Sequence, residues 1–261
     1  MTRVLGRVGV FGLFVFLLAP VILVVPLSFS SANNLVWPPP GWSLRWYGAM
    51  VREAGLMQAA WNSLVLAAGV AGACLLLGTP AALALARGRF PGREALLALI
   101  TAPLLLPTIV LGLALLLVFV STGLLGTWAG LVLAHLTITL PYAVRVLSTA
   151  VATLPADLED AARSLGAPPA RVFWRITLPL LMPGVVATAA ITFLVSFDEV
   201  VISLFVVGPR LTTLPVALYR YVEARTDPLV AAVSTVLVAL TMMVVMVLDR
   251  LVGLRRAIGN G

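Results

Sequence analysis

ALLALITAPLLLPTIVLGLALLLVFV, residues 95–120, runs for 26 positions without a charged side chain. A helix crossing the hydrocarbon layer needs about 20 apolar residues, so this stretch is long enough to span a membrane. Working outward, five similar runs fall at about 8–29, 59–86, 129–150, 180–207 and 228–249. The expected fold is therefore all-α, with six transmembrane helices in one integrated domain covering residues 1–261. Composition agrees: hydrophobic residues make up 61% of the chain and charged residues 10%, against about 25% charged in soluble domains. Several runs exceed the minimum length, which predicts tilt or kinks. Pro103, Pro107, Pro141 and Pro183 are the kink sites, tolerated at membrane depth where neighbouring helices satisfy the freed carbonyls. The first run follows Arg3 and Arg7 as a signal peptide would, yet it outlasts the usual apolar core of about 7–15 residues, which predicts a retained span.

All 17 basic residues are arginine, and the net charge is +7. The arginines sit in short segments between apolar runs, which reads as membrane topology and not as a nucleic-acid footprint. Twelve fall on the side shared by the two termini, including Arg87, Arg145, Arg163, Arg255 and Arg256, and five on the other side. That bias predicts both termini in the cytoplasm. The outer segment 30–58 carries Trp37, Trp42, Trp46 and Tyr47 beside three consecutive prolines, a composition suited to an interfacial belt that anchors the segment, with a substrate cage as the alternative. Without lysine the chain cannot form a phosphate-binding G-x-x-x-x-G-K-[ST] loop, so it does not hydrolyse ATP by itself. One histidine and one cysteine, Cys74, support neither a zinc site nor a Cys–His dyad. Gly69, Gly72 and Gly78 fit close helix packing in the second span.

One connection is long and polar. Residues 151–179 read VATLPADLEDAARSLGAPPARVFWRITLP, between spans four and five on the arginine-rich side. Pro155 suits the first turn of a helix, and Asp157, Glu159 and Asp160 suit its positive end. Gly166 is placed to end that helix in a left-handed conformation. Pro168 can open a second short helix whose apolar face is Val172, Phe173 and Ile176. The expected element is a helix–turn–helix at the cytoplasmic surface, with small exposed residues that let another protein approach.

These residues resemble the EAA motif of binding-protein-dependent ABC importers: Glu-Ala-Ala, three residues, Gly, nine residues, Ile, one residue, Leu-Pro. Asp160, Ala161 and Ala162 stand at its start, Gly166 follows in register, and Ile176, Leu178 and Pro179 close it. The one departure is Asp160 in place of Glu. The likeness covers nearly the whole chain. It includes Trp61-Asn62-Ser63-Leu64, Ala84-Leu85-Ala86-Arg87, HLTITLPY at 135–142, and the segment from Ser196 that begins SFDEVVISLFVVGPR. The last is most similar to the second, C-type permease of spermidine/putrescine importers. The resemblance implies a type I importer permease in the bacterial inner membrane. It also implies partners: cytoplasmic ATPase subunits that bind the ATP, a second permease subunit forming a heterodimer, and an extracytoplasmic solute-binding protein. The loop would be the coupling helix that docks on the ATPase.

Asp198 and Glu199 are the only acids between Leu180 and Val207. Charge inside a span is expensive and usually functional. On a continuous helix, Thr188, Thr192, Ser196, Glu199 and Ser203 form one polar stripe, with Asp198 beside it. Two readings stand: a carboxylate lining the route of a cationic substrate, or a carboxylate paired with arginine or capping a broken helix. His135 in span four either lines the same path or is a hydrogen-bonded structural residue. The function that follows is a permease subunit carrying a small polar solute such as spermidine or putrescine. The alternatives are an ABC permease for another solute or a self-contained secondary transporter; for the latter, no internal repeat is evident.

Overall fold

The structure is a computed structural model, and it describes residues 2–252; the expected inner-side Arg255 and Arg256 lie outside the described residues. Apart from one isolated bridge between Ser30 and Trp42, the described residues are helical or irregular. The chain divides into two compact units, Met1–Gln58 with Ala217–Met243 and Ala59–Val216 with Val244–Gly261.

The first unit opens with α1 (Thr2–Ser28), whose apolar window within Gly9–Ser28 has no buried share within the chain. Phe11, Phe14 and Phe16 point outward, as they would toward lipid or another subunit. A short helix the sequence did not announce, α2 (Arg45–Arg52), follows. Trp46 Nε1 donates to the Ser30 carbonyl at 3.0 Å, and the Tyr47 hydroxyl pairs with Ser28 Oγ at 2.7 Å. Trp46 and Tyr47 thus tie the segment to the end of α1, while Trp37 and Trp42 stay exposed.

Residues 217–243 also belong to the first unit, while the remaining chain up to Val216 belongs to the second. Helix α3 (Ala54–Arg87) runs into it and is long enough to cross a membrane. Asn62 Nδ2 donates to the Thr212 carbonyl at 3.0 Å and Ser63 Oγ accepts the Leu214 N–H at 2.8 Å, so both polar residues of the Trp61–Leu64 motif hold a distant strand of chain. Of Gly69, Gly72 and Gly78, Gly78 is the one with a near neighbour among the described residues: an added Cβ would meet Ala143 Cβ at 3.2 Å. Among the described residues, an added Cβ on Gly69 or Gly72 would meet nothing within 4 Å.

The expected third span, 95–120, is not one rod. It consists of α4 (Arg93–Thr101), a 3-10 turn (Ala102–Leu105) and α5 (Thr108–Thr122), bent by 103°. The cause is Pro107: Leu106 before it is extended, with ψ 141°, as the residue preceding a proline prefers. The broken span leaves Leu105 85% exposed at the corner.

Helix α6 (Trp128–Ala152) is the central element, with 56% of its apolar window buried. Its start is capped by Thr127, whose Oγ1 accepts the Gly130 N–H at 3.0 Å. The loop then forms α7 (Ala156–Ser164) and α8 (Pro169–Val172). The expected second loop helix does not stand apart. A π-helical turn, Phe173–Thr177, joins α8 directly to α9 (Leu178–Phe197), and the wide turn accommodates Pro179, which has no N–H to offer the preceding turn.

The fifth span, expected over about 180–207, is interrupted at residues 198–200 and resumes as α10 (Val201–Val206). Helix α9 packs along α6, and α5 packs on α10; at the latter contact an added Cβ on Gly112 would strike the Phe205 ring at 2.6 Å. Buried Leu66, Val70, Leu131, Ile138, Ile202 and Val206 centre this core. The chain ends through α11 (Leu214–Ala224) and α12 (Leu229–Val252). Five helices pass as candidate spans, six if the bent α4–α5 pair counts as one.

Candidate functional site

The polar loop is built by local rules. Pro155 precedes α7 in an extended conformation (ψ 118°), and Asp157 and Glu159 occupy the first turn, where carboxylates meet the helix dipole favourably. At the other end Gly166 has φ +84°. Its N–H donates to the Arg163 carbonyl at 2.9 Å, and the Ala167 N–H donates to the Ala162 carbonyl at 3.1 Å. That bond pair is the Schellman closure. Pro168, extended at ψ 152°, then starts α8.

The loop presents two different faces. Leu158, Ala161 and Leu165 follow one another at helical spacing and all are exposed, Leu165 by 89%. Trp174 is 65% exposed. Asp160 is exposed and accepts a bond from Arg163 Nη1 at 2.8 Å. Ala162, Ile176 and Leu178 are half-buried, while Gly166 and Pro179 are exposed. The motif residues therefore separate: Asp160, Ala161 and Gly166 lie on the open side, and Ile176 and Leu178 are part of the turn that roots the loop in α9.

The opposite face holds a residue whose role the sequence reading missed. Glu159 is 4% exposed. Arg87 Nη1, at the end of α3, donates to its Oε2. Arg163 Nη2 reaches the same oxygen at 3.2 Å, and Thr177 Oγ1 donates to Oε1 at 2.6 Å. The Arg87 bond, with help from Thr177 and the Arg163 charge, holds the carboxyl below its ordinary range against the opposing pull of burial. Only the i,i+4 spacing to Arg163 was visible in the sequence; Arg87 lies 72 positions away.

The polar residues of the fifth span fall into three groups. Thr188 Oγ1 and Thr192 Oγ1 donate back to the Gly184 and Thr188 carbonyls, at 2.7 and 2.8 Å. Ser196 Oγ, before the break, lies 2.9 Å from His135 Nδ1, and Ser203 Oγ, after it, lies 2.9 Å from His135 Nε2. His135 is fully buried, so α6 pins both halves of the interrupted span through one imidazole. At the break, Glu199 Oε1 accepts the Ile202 N–H at 2.9 Å and so caps α10. Glu199 is half-buried and Asp198 exposed. Among the described residues no arginine pairs with either carboxylate, and no group of three or more metal-ligating side chains occurs.

Helices long and apolar enough to cross a membrane, with a polar helix–turn–helix between two of them, define a multi-span membrane protein. The chain belongs to the binding-protein-dependent transport system inner membrane component family, whose profile matches residues 75–257. The putrescine transport system permease protein PotI of Escherichia coli (strain K12) is 40% identical over 236 residues, covering 86% of this chain and 82% of PotI. The spermidine/putrescine transport system permease protein PotC of the same strain is 32% identical over 250 residues, covering 95% and 93%. The fold is that of solved importers: the structure of a bacterial ABC transporter involved in the import of the acidic polysaccharide alginate superposes with a TM-score of 0.67 at 16% identity, covering 96% of both chains. The protein is thus an ABC importer permease, a multi-pass inner-membrane component, and the self-contained secondary transporter is set aside.

Proposed function

We propose that this permease lines the path for a small cationic solute of the polyamine class and is driven through the open face of α7. The observation that carries the substrate reading is the acidic pair at the break between α9 and α10. An ammonium group leaving water loses several kcal/mol of hydration unless an anion replaces it. Glu199, half-buried and without an arginine against it among the described residues, can do so, with exposed Asp198 beside it. Two carboxylates, not a cluster, attract the cation without trapping it. The likeness to PotI, a putrescine permease, and PotC, a spermidine/putrescine permease, supports the same class.

The coupling reading rests on Leu158, Ala161 and Leu165, an apolar stripe with small neighbours and Asp160 at its edge. A groove on a cytoplasmic ATPase would cover it, and closure of the ATPase pair on ATP would move the loop and reopen the spans on the other side. A second permease and an extracytoplasmic binding protein complete the assembly. Both termini then face the cytoplasm, as the arginine distribution indicates.

The test is Glu199→Gln in the reconstituted complex. Glutamine keeps an oxygen to accept the Ile202 N–H, so the cap survives and only the charge is lost. Uptake of labelled putrescine should fall by about tenfold or more, the equivalent of about 1.4 kcal/mol, with complex yield unchanged; Asp198→Asn should do less. Unaltered uptake, or lost assembly in place of lost transport, would leave Glu199 as a cap alone.

A further inference from the structure

Helix α7 is fastened to the rest of the permease in an unusual way. Among its described side chains, Glu159 is the only buried one; Leu158, Asp160, Ala161, Arg163 and Ser164 are exposed and Ala162 is half-buried. Apolar packing therefore contributes little to holding this helix down. Its attachment is the Glu159 carboxylate. One oxygen takes Arg87 and Arg163, the other takes Thr177. Arg87 is the last residue of α3, where a cation also meets the negative end of the helix dipole. Thr177 is the last residue of the π turn, immediately before α9.

We propose that Glu159 is a positioning residue for transport: a polar joint that makes α3 and α9 follow α7 when the ATPase moves it. The proposal rests on the coupling reading of α7 given above. Hydrogen bonds between ionised groups are short, directional and about twice as strong as neutral ones. An apolar contact lets a helix slide; a charged fork fixed at three points does not. Glu159 is the buried member, so losing its arginines would leave its charge uncompensated, and the joint stays closed under load. The two spans it grips differ in kind. Helix α3 is a long span that stays helical to Arg87, whereas α9 leads to the break at residues 198–200, where Glu199 sits. Displacement of α7 therefore reaches the acidic pair through α9 and the bundle through α3. Asp160, one residue further on, is exposed and belongs to the outer face.

The experiment measures solute imported per ATP hydrolysed in the reconstituted complex, together with the amount of ATPase retained on the purified permease. Glu159→Gln and Arg87→Gln should retain the ATPase and its hydrolysis, because the outer face is untouched, while import per ATP falls by about tenfold, in the range expected for breaking a buried charged pair. Thr177→Val removes one neutral donor and should lower import per ATP by about threefold; it decides the matter if the charge variants fail to assemble. The double variant Arg87→Glu with Glu159→Arg should recover part of the lost coupling, because the two side chains act as a pair. Ala161→Arg serves as the control on the outer face and should strip the ATPase from the complex. If Ala161→Arg leaves the ATPase bound, the docking reading of α7 fails. If Ala161→Arg strips it but Glu159→Gln and Thr177→Val import at the wild-type ratio, the joint is refuted. Loss of ATPase binding in Glu159→Gln equal to that in Ala161→Arg would also refute it.

Discussion

Gly166 offers a perturbation whose size can be worked out from the structure. Its φ is +84°, and a Cβ placed on it would meet nothing within 4 Å. The whole penalty of a side chain there is therefore backbone strain and not collision. The left-handed region costs an L-residue about 1–2 kcal/mol, more for a β-branched one. Against this, replacing glycine by alanine restricts the unfolded chain by about 0.4–1 kcal/mol. Gly166→Ala should thus lose about 1 kcal/mol net and Gly166→Val about 2 kcal/mol. Gly166→Asn should lie closest to wild type, since asparagine visits this region readily. The loss is local: it falls on the Ala167 N–H to Ala162 carbonyl bond and on the bond from residue 166 to the Arg163 carbonyl. Hydrogen exchange at Ala167 reads it directly, about 30-fold faster in the valine variant for a 2 kcal/mol loss. ATPase retention should fall in the order Asn, Ala, Val. Equal exchange in Asn and Val variants would refute the argument, because then left-handed geometry would not be what position 166 supplies.

The remaining predictions concern buried polar groups. His135→Leu removes both serine contacts from a fully buried site. Interhelical hydrogen bonds in membranes average about 0.6 kcal/mol each, and the orphaned hydroxyls can turn back to their own helix carbonyls. A total loss of about 1–2 kcal/mol follows, read as a lower melting temperature of the solubilised permease; an unchanged melting temperature contradicts it. Glu159 has a lowered folded-state pKa, so its contribution is present above the ordinary carboxylate pKa of about 4.3 and disappears as pH falls through the lower folded value. Exchange protection of α7 should be constant near neutrality, drop in acid below about pH 4, and lose this particular pH dependence in Glu159→Gln. The same acid profile in wild type and variant would show that another group is responsible.

What the sequence disclosed and what it concealed divide along chain distance. The six apolar runs and the loop helix with its left-handed glycine depend on neighbours within a turn or two, and Pro155, Gly166 and Pro168 each punctuate the backbone where they stand. Pro107 marks a kink, but the proline alone does not give the size of the turn, 103°. The polar stripe of the fifth span was laid out on a continuous helix. Serines 196 and 203 do meet at one point, yet only because His135 bridges them across a break that a period of 3.6 residues cannot show. The spacing of Gly69, Gly72 and Gly78 does not show that Gly78 is the one lying against Ala143 of α6. Glu159 was assigned to the helix dipole because its partners, Arg87 and Thr177, arrive from other elements.

The most direct test of the account is ATP-driven uptake by the complete complex in vesicles: this permease with its ATPase, partner permease and binding protein. The account predicts accumulation of labelled putrescine or spermidine that requires ATP, is abolished by Ala161→Arg through loss of the ATPase, and is weakened by Glu199→Gln. ATP-dependent accumulation of a neutral or anionic solute, with no polyamine uptake and no effect of Glu199→Gln, would contradict it.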